Sequence, residues 1–220
     1  MVNFKEAKQD NIRKYLTYHD YFLPMNTVEI FGLFAGSLSI ALLIKQNIWT
    51  WPVGIAYTVA SLHVFYTAKL YADFTLHVFF LIMSLYGWYY WLRGNNRIDS
   101  ELLVSREKKK VLVYSLVICS VAIIFTSNLF ILYTDADLPY WDSATSILSI
   151  FAIWLQSRKK IESWIFWLII DILSVGIYFY KELYFYSLLY SIYVVMAFLG
   201  YVAWLESYRD EQRNSRYNRT

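Results

Sequence analysis

The sequence predicts an all-α integral membrane protein of seven transmembrane helices, built as a 3+1+3 parallel internal repeat, with its N-terminus outside and its C-terminus inside. Three observations carry that expectation. The 220 residues are 58% hydrophobic and 20% aromatic, with 17% charged and a mean hydropathy of +0.37. An ordinary soluble domain is about 45–50% apolar and about 25% charged, so this chain has too few polar residues to cover a water-facing surface. Apolar runs close to one bilayer in length alternate with short polar breaks, and the sequence aligns with itself at a shift of 113 residues.

Residues 1–27 carry Lys5, Glu6, Lys8, Asp10, Arg13, Lys14 and Asp20 with no uninterrupted apolar core, so a secretory signal is not expected there. Phe4, Ala7, Tyr15, Leu16 and Phe22 fit one side of a short amphipathic helix at the membrane surface. They fit a leader without regular structure equally well. A membrane helix needs about 20 mostly apolar residues, and candidates fall at 28–44, 48–68 and 71–92, the first repeat. Residues 93–141 hold a basic loop, a linker helix at about 111–132 and an outer loop. The second repeat, 142–205, contributes spans at 142–157, 161–180 and 183–205, and 206–220 form a basic tail. The breaks "KQN" (45–47), Lys69, "SRKK" (157–160) and "KE" (181–182) are too tight for anything but helical hairpins.

Seven spans put the termini on opposite sides. One side collects fourteen of the 20 Lys and Arg: Lys45, Arg93, Arg97, Arg106, Lys108, Lys109, Lys110, Arg158, Lys159, Lys160 and the four tail arginines. Basic residues accumulate on the cytoplasmic side, so that side is expected to be cytoplasmic. The net charge of +3 does not point to nucleic acid. The lone Cys119 lies in an apolar run, which leaves no intramolecular disulfide or Cys-based metal site.

At the 113-residue shift, Trp51 meets Trp164, Gly87 meets Gly200, and Trp91-Leu92 meets Trp204-Leu205, with no gap from Glu29 to Leu92. Spans one and five then run the same way, so the repeat is parallel with a pseudo-two-fold along the membrane normal. This SWEET-like arrangement belongs to transporters that hold substrate near the midplane between halves.

The candidate site follows from polar residues inside the spans. Asp171 stands mid-span among Leu168, Ile169, Ile170, Ile172 and Leu173. A central aspartate costs about 2.5–3.5 kcal/mol on insertion scales, so it is expected to face a cavity or a partner. Trp164 and Trp167 share its helix face, and two ring faces beside a carboxylate can hold a flat cation. His77 and Ser84, with Gly87 and Trp88, mark one face of span three, and Tyr57 sits mid-span two. The alternatives are a protonated or paired structural Asp171 and a His77 that only packs. Trp91 and Trp204 are expected to be interfacial anchors, Gly87 and Gly200 sites of close packing, and Glu29 and Asp142 helix caps. Neither a phosphate loop, a nucleophile elbow nor a metalloprotease motif is recognisable. No enzyme activity, cofactor or metal is therefore expected.

"LYADFTLHVFFLIMSLYGWYYW" (70–91) and "YWDSATSILSIFAIWLQSRKKIESWIFWLIID" (140–171) resemble the Pnu family of bacterial vitamin transporters, and the likeness runs from about Glu29 to Leu205. It implies a homotrimer in the bacterial cytoplasmic membrane, facilitated diffusion of an unphosphorylated vitamin, and trapping by a cytoplasmic kinase. In the nicotinamide riboside branch the positions of His77, Ser84 and Asp171 look like Gln, Asn and Asn. Their change here, with the tryptophan pair kept, favours thiamine as substrate, with nicotinamide riboside or a proton-coupled vitamin transporter as the alternatives. On that resemblance Trp164, Trp167, Asp171, His77, Ser84, Trp88 and Tyr57 form the substrate site.

Overall fold

The computed structural model describes residues 27–67, 71–93, 102–134 and 137–217. The segment up to Asn26 and the side chain of Glu29 lie outside the described residues, as do Lys69 and most of the 93–101 loop. Seven helices account for nearly everything described: α1 (Thr27–Ile44), α2 (Thr50–Thr67), α3 (Tyr71–Arg93), α4 (Lys109–Tyr133), α5 (Pro139–Ser157), α6 (Glu162–Tyr180) and α7 (Tyr184–Tyr217). Helices α4, α6 and α7 are each long and apolar enough to cross a membrane by length and composition. From Phe31, α1 is a shorter apolar helix. At a 1.5 Å rise, the 18 residues of α1 or α2 reach about 27 Å, close to the hydrocarbon thickness of about 30 Å.

Three hairpins close in one way. Gln46, Lys159 and Glu182 have φ of 54°, 56° and 58°, the left-handed residue that ends a helix in a Schellman motif. The paired hydrogen bonds are present each time. Asn47 N donates to Leu42 O at 2.9 Å and Gln46 N to Leu43 O at 2.9 Å; 113 residues later Lys160 N donates to Leu155 O at 3.0 Å and Lys159 N to Gln156 O at 2.9 Å. The repeat read from apolar identities is thus repeated in backbone geometry.

The helices pack in the cyclic order α1, α2, α3, α5, α6, α7 and back to α1, while α4 lies outside the ring against α5. A two-fold that exchanges α1–α3 with α5–α7 maps the α3/α5 contact onto α7/α1, as a parallel duplication requires. The α1–α2 and α5–α6 turns, the segment 102–108 and the far part of α7 share one end of the bundle, called here the basic end.

Two expectations change at that end. The tail read as beginning at 206 continues α7 as helix to Tyr217, with Arg213 pairing Asp210 at 2.7 Å one turn back. The 34 residues of α7 span about 51 Å and overshoot any bilayer core. The basic loop is not wholly solvated either, because Leu102 and Val104 are buried. Its Ser105 forms an isolated parallel β-bridge with Lys160.

Candidate functional site

The tryptophans sort first. Trp51 of α2 lies so close to Gly87 of α3 that an added Cβ there would sit 2.3 Å from the indole, and Trp164 of α6 leaves 2.5 Å at Gly200 of α7. Each glycine is therefore the floor of an aromatic slot that no side chain could share. Trp51 meets Trp91 edge-on at 5.5 Å and 85°, Trp164 meets Trp204 at 5.5 Å and 89°, and Trp91 meets Trp204 at 6.2 Å. Trp91 and Trp204, expected as interfacial anchors, are instead 8% and 0% exposed. They meet across the bundle because each is aimed inward by the slot beneath it. Trp204 Nε1 donates to Leu43 O at 3.1 Å.

This arrangement separates the residues expected to act together. Trp164, 2% exposed, offers no ring face to a ligand in this conformation. Trp167 turns toward α5, its Nε1 donating to Gln156 Oε1 at 2.7 Å. Trp88 packs on the tryptophan cluster rather than beside His77.

Asp171 lies at the middle of α6 and is 7% exposed. No described residue hydrogen-bonds or ion-pairs its carboxylate; the hydroxyl-bearing rings of Tyr190 and Tyr193 are within electrostatic range. Tyr57 of α2 lies against α1 where glycines leave room, since an added Cβ at Gly36 would touch the Tyr57 ring at 3.5 Å and Tyr193 Oη at 3.6 Å. Tyr193 interacts with Ser37 of α1. Helices α1, α2, α6 and α7 thus converge on one polar, aromatic middle.

His77 borders it from α3. Its ring lies 4.6 Å from Phe65, 5.3 Å from Phe80 and 6.4 Å from Tyr57. Nδ1 donates to Asp73 O at 2.9 Å, so in the neutral ring Nε2 remains an acceptor. Ser84, two turns further on, is buried with no hydrogen-bond partner among the described residues. Tyr178 stacks on Tyr190 at 5.1 Å, and Tyr190 meets Tyr193 edge-on at 5.6 Å.

Tyr178, Tyr190 and Tyr193 were not among the expected site residues, although a signal existed. At the 113-residue shift they stand where Phe65, His77 and Phe80 stand in the first half. Phe65–His77 and His77–Phe80 make the same two ring contacts. His77 and its repeat mate Tyr190 are thus the centres of two matching ring clusters, one in each half.

Toward the end opposite the basic one, Asp142, expected as a helix cap, lies in the first turn of α5 behind Leu138 at the N-cap with no side-chain capping bond, and pairs with Lys181 of the α6–α7 turn at 3.5 Å. A groove of about 530 Å³ between α1 and α2 is lined by Phe31, Phe34, Leu38, Trp49 and Pro52. It has no charged group and is not a candidate for polar substrate recognition. Among the described residues no group of His, Cys, Asp and Glu could hold a metal ion.

Residues 26–206 match the family model described as "Nicotinamide mononucleotide transporter". The chain is similar to the nicotinamide riboside transporter PnuC of Escherichia coli (strain K12), with 30% identity covering 84% of this chain and 88% of that one. It is also similar to the riboflavin/roseoflavin transporter RibM of Streptomyces davaonensis, at 26% identity over 84% and 87% of the two chains. The crystal structure of the vitamin B3 transporter PnuC superposes with a TM-score of 0.69 at 18% identity, covering 96% of this chain and 94% of that chain; at that identity the likeness speaks for the fold alone. A six-helix ring with an outlying linker, a duplicated hairpin geometry and a match over most of the chain agree: this is a multi-pass membrane transporter, not an enzyme, and it belongs to the Pnu family of vitamin transporters.

Proposed function

We propose that the chain carries a permanently cationic, aromatic vitamin across the membrane by facilitated diffusion, and that Asp171 is the substrate's countercharge. The observation that carries this reading is the carboxylate itself, buried mid-helix without a hydrogen bond or ion pair among the described residues. A charge removed from water without a partner is strongly unfavourable, so a cationic substrate is the natural complement. Tyr57, Tyr178, Tyr190 and Tyr193 offer ring faces and hydroxyls to a flat cation. His77 Nε2 and the Ser84 hydroxyl add polar contacts, and Trp167 borders the site from the α5 side. Trp164 and Trp88 stay in the tryptophan cluster at the basic end and do not meet the substrate on this reading.

Among such vitamins nicotinamide riboside comes first, because the relative at 30% identity is named for it and its pyridinium would use the carboxylate. Thiamine is the second reading. A carboxylate, an imidazole and a hydroxyl at 171, 77 and 84 replace the amides that the resemblance implies for nicotinamide riboside, and a carboxylate suits an aminopyrimidine beside a thiazolium. The basic end faces the cytoplasm on this reading, where a kinase traps the vitamin, and the chain assembles as a trimer.

Calorimetry on the purified protein against nicotinamide riboside, thiamine and riboflavin tests the proposal. Binding of either cation, weakened about 30-fold in Asp171→Asn, supports it and names the substrate. Binding of neutral riboflavin alone would overturn it.

A further inference from the structure

The basic end is closed twice. Trp91 and Trp204, repeat mates from the two halves, meet at 6.2 Å in the centre of the helix ring. Beneath them runs the segment 102–108, which belongs to neither repeat. Its Leu102 and Val104 are buried in the same cluster as the four tryptophans. Its backbone is stitched to the α5–α6 turn: Ser105 N donates to Lys159 O at 3.1 Å, and Ile161 N to Ser105 O at 3.0 Å. Glu107 N donates to Glu162 Oε2 at 3.0 Å, and Arg106 lies 5.6 Å over the Tyr208 ring of α7.

Lys159 pins these parts together. It is 5% exposed, an unusual burial for a lysine. Its Nζ donates to Leu102 O at 2.6 Å and stands 4.8 Å over the Trp91 ring, while Glu211 of α7 lies within electrostatic range. One ammonium thus contacts the segment between the repeats and, through Trp91, the first half, with Glu211 of α7 within electrostatic range. The first half builds the same left-handed turn with Gln46 at the position of Lys159, and no described segment pairs with that turn. Among the described residues this strap is therefore found at one of the two equivalent turns only.

We infer that residues 102–108 form a latch holding the basic end of the central passage shut, with Lys159 as its pin, and that substrate leaves by this end only after the strap lifts. The transport direction in this inference rests on the proposed function; the latch itself does not.

Two experiments on the full chain in proteoliposomes, with Cys119→Ala to remove the native thiol, test it. In the first, Leu102→Cys is labelled with a membrane-impermeant maleimide applied at the basic end. Labelling should be slow and should accelerate at least tenfold when Lys159→Met is added; an unchanged rate would overturn the pin. In the second, a Ser105→Cys, Lys160→Cys pair is oxidised and the cross-link verified by mass. Vitamin uptake should fall at least tenfold and return on reduction, with binding affinity within twofold of the reduced protein. Uptake that continues at the reduced rate would overturn the latch. If the Cys119→Ala protein without the pair takes up neither nicotinamide riboside nor thiamine while the Leu102→Cys variants label as expected, the latch stands and the proposed substrate class fails.

Discussion

At the basic end Trp51 stands to Gly87 and Trp91 as Trp164 stands to Gly200 and Trp204, down to a 5.5 Å ring separation in each half. At mid-membrane the mates diverge. Asp171 occupies the position of Thr58, Tyr190 that of His77 and Ala197 that of Ser84. Thr58 satisfies its own hydroxyl by donating to Gly54 O at 2.8 Å, whereas Asp171 has no such partner. The two halves share their scaffold where rings must interlock and differ at the buried positions of the proposed site. A duplicated bundle with two identical middles would hold an asymmetric vitamin equally well in two orientations; breaking the symmetry at a few buried positions lets one of them be preferred.

Variants can press on that contrast from both sides. The largest effect is expected from Gly87→Ala and Gly200→Ala, because each new methyl would sit 2.3–2.5 Å from an indole held in a closed cluster. Overpacking costs about 1–3 kcal/mol or more, and the two variants should lose similar amounts in thermal unfolding followed by circular dichroism. A large loss in one half with none in the other would break the claim of equivalent scaffolds.

Next, Asp171→Asn should weaken vitamin binding by about 2 kcal/mol, the scale of a hydrogen bond to a charged group, while Thr58→Ala changes it little. The same Asp171→Asn should raise the unfolding temperature, since it removes a carboxyl group that folding takes out of water without a partner. A variant that binds normally would take Asp171 out of the site, and calorimetry reads this directly. Tyr190→Phe should cost about 1 kcal/mol of affinity through one lost neutral hydrogen bond; the mate His77→Phe should cost a similar amount if both rings serve one ligand.

The smallest effect concerns Glu211 at the basic end. Burial pushes its carboxyl above the ordinary range, against the opposing pull of Lys159, the Val104 backbone and Ser207. A carboxyl raised on folding adds stability that is present below its ordinary value and is lost as pH rises through the raised one. Wild-type stability should thus decline slightly across that window, and Glu211→Gln should flatten the decline in unfolding scans at a series of pH values.

The helix count, the approximate spans, the parallel repeat and the anomaly of Asp171 were legible in the chain, because composition, apolar run length and internal identity are one-dimensional properties. So was the Gly87–Gly200 equivalence, though not its meaning: close packing was expected between helices, and the partner proved to be a tryptophan ring. Other features depend on contacts between residues far apart in sequence. Lys159 reads as a solvated basic residue in "SRKK" until Leu102, 57 positions earlier, covers it. Trp91 and Trp204 read as belt residues until the ring of helices turns them toward one another.

Hydropathy and repetition along the chain were enough for a duplicated, seven-helix membrane protein with a carboxylate at mid-span, because run length and internal identity need no knowledge of contacts. Which aromatic rings lie near that carboxylate and which seal the bundle came from contacts between helices distant in the chain. The physical reason is that a helix face fixes a side chain's direction but not its neighbour. Trp164 and Trp167 leave α6 only three residues apart, and α7 claims one while α5 claims the other.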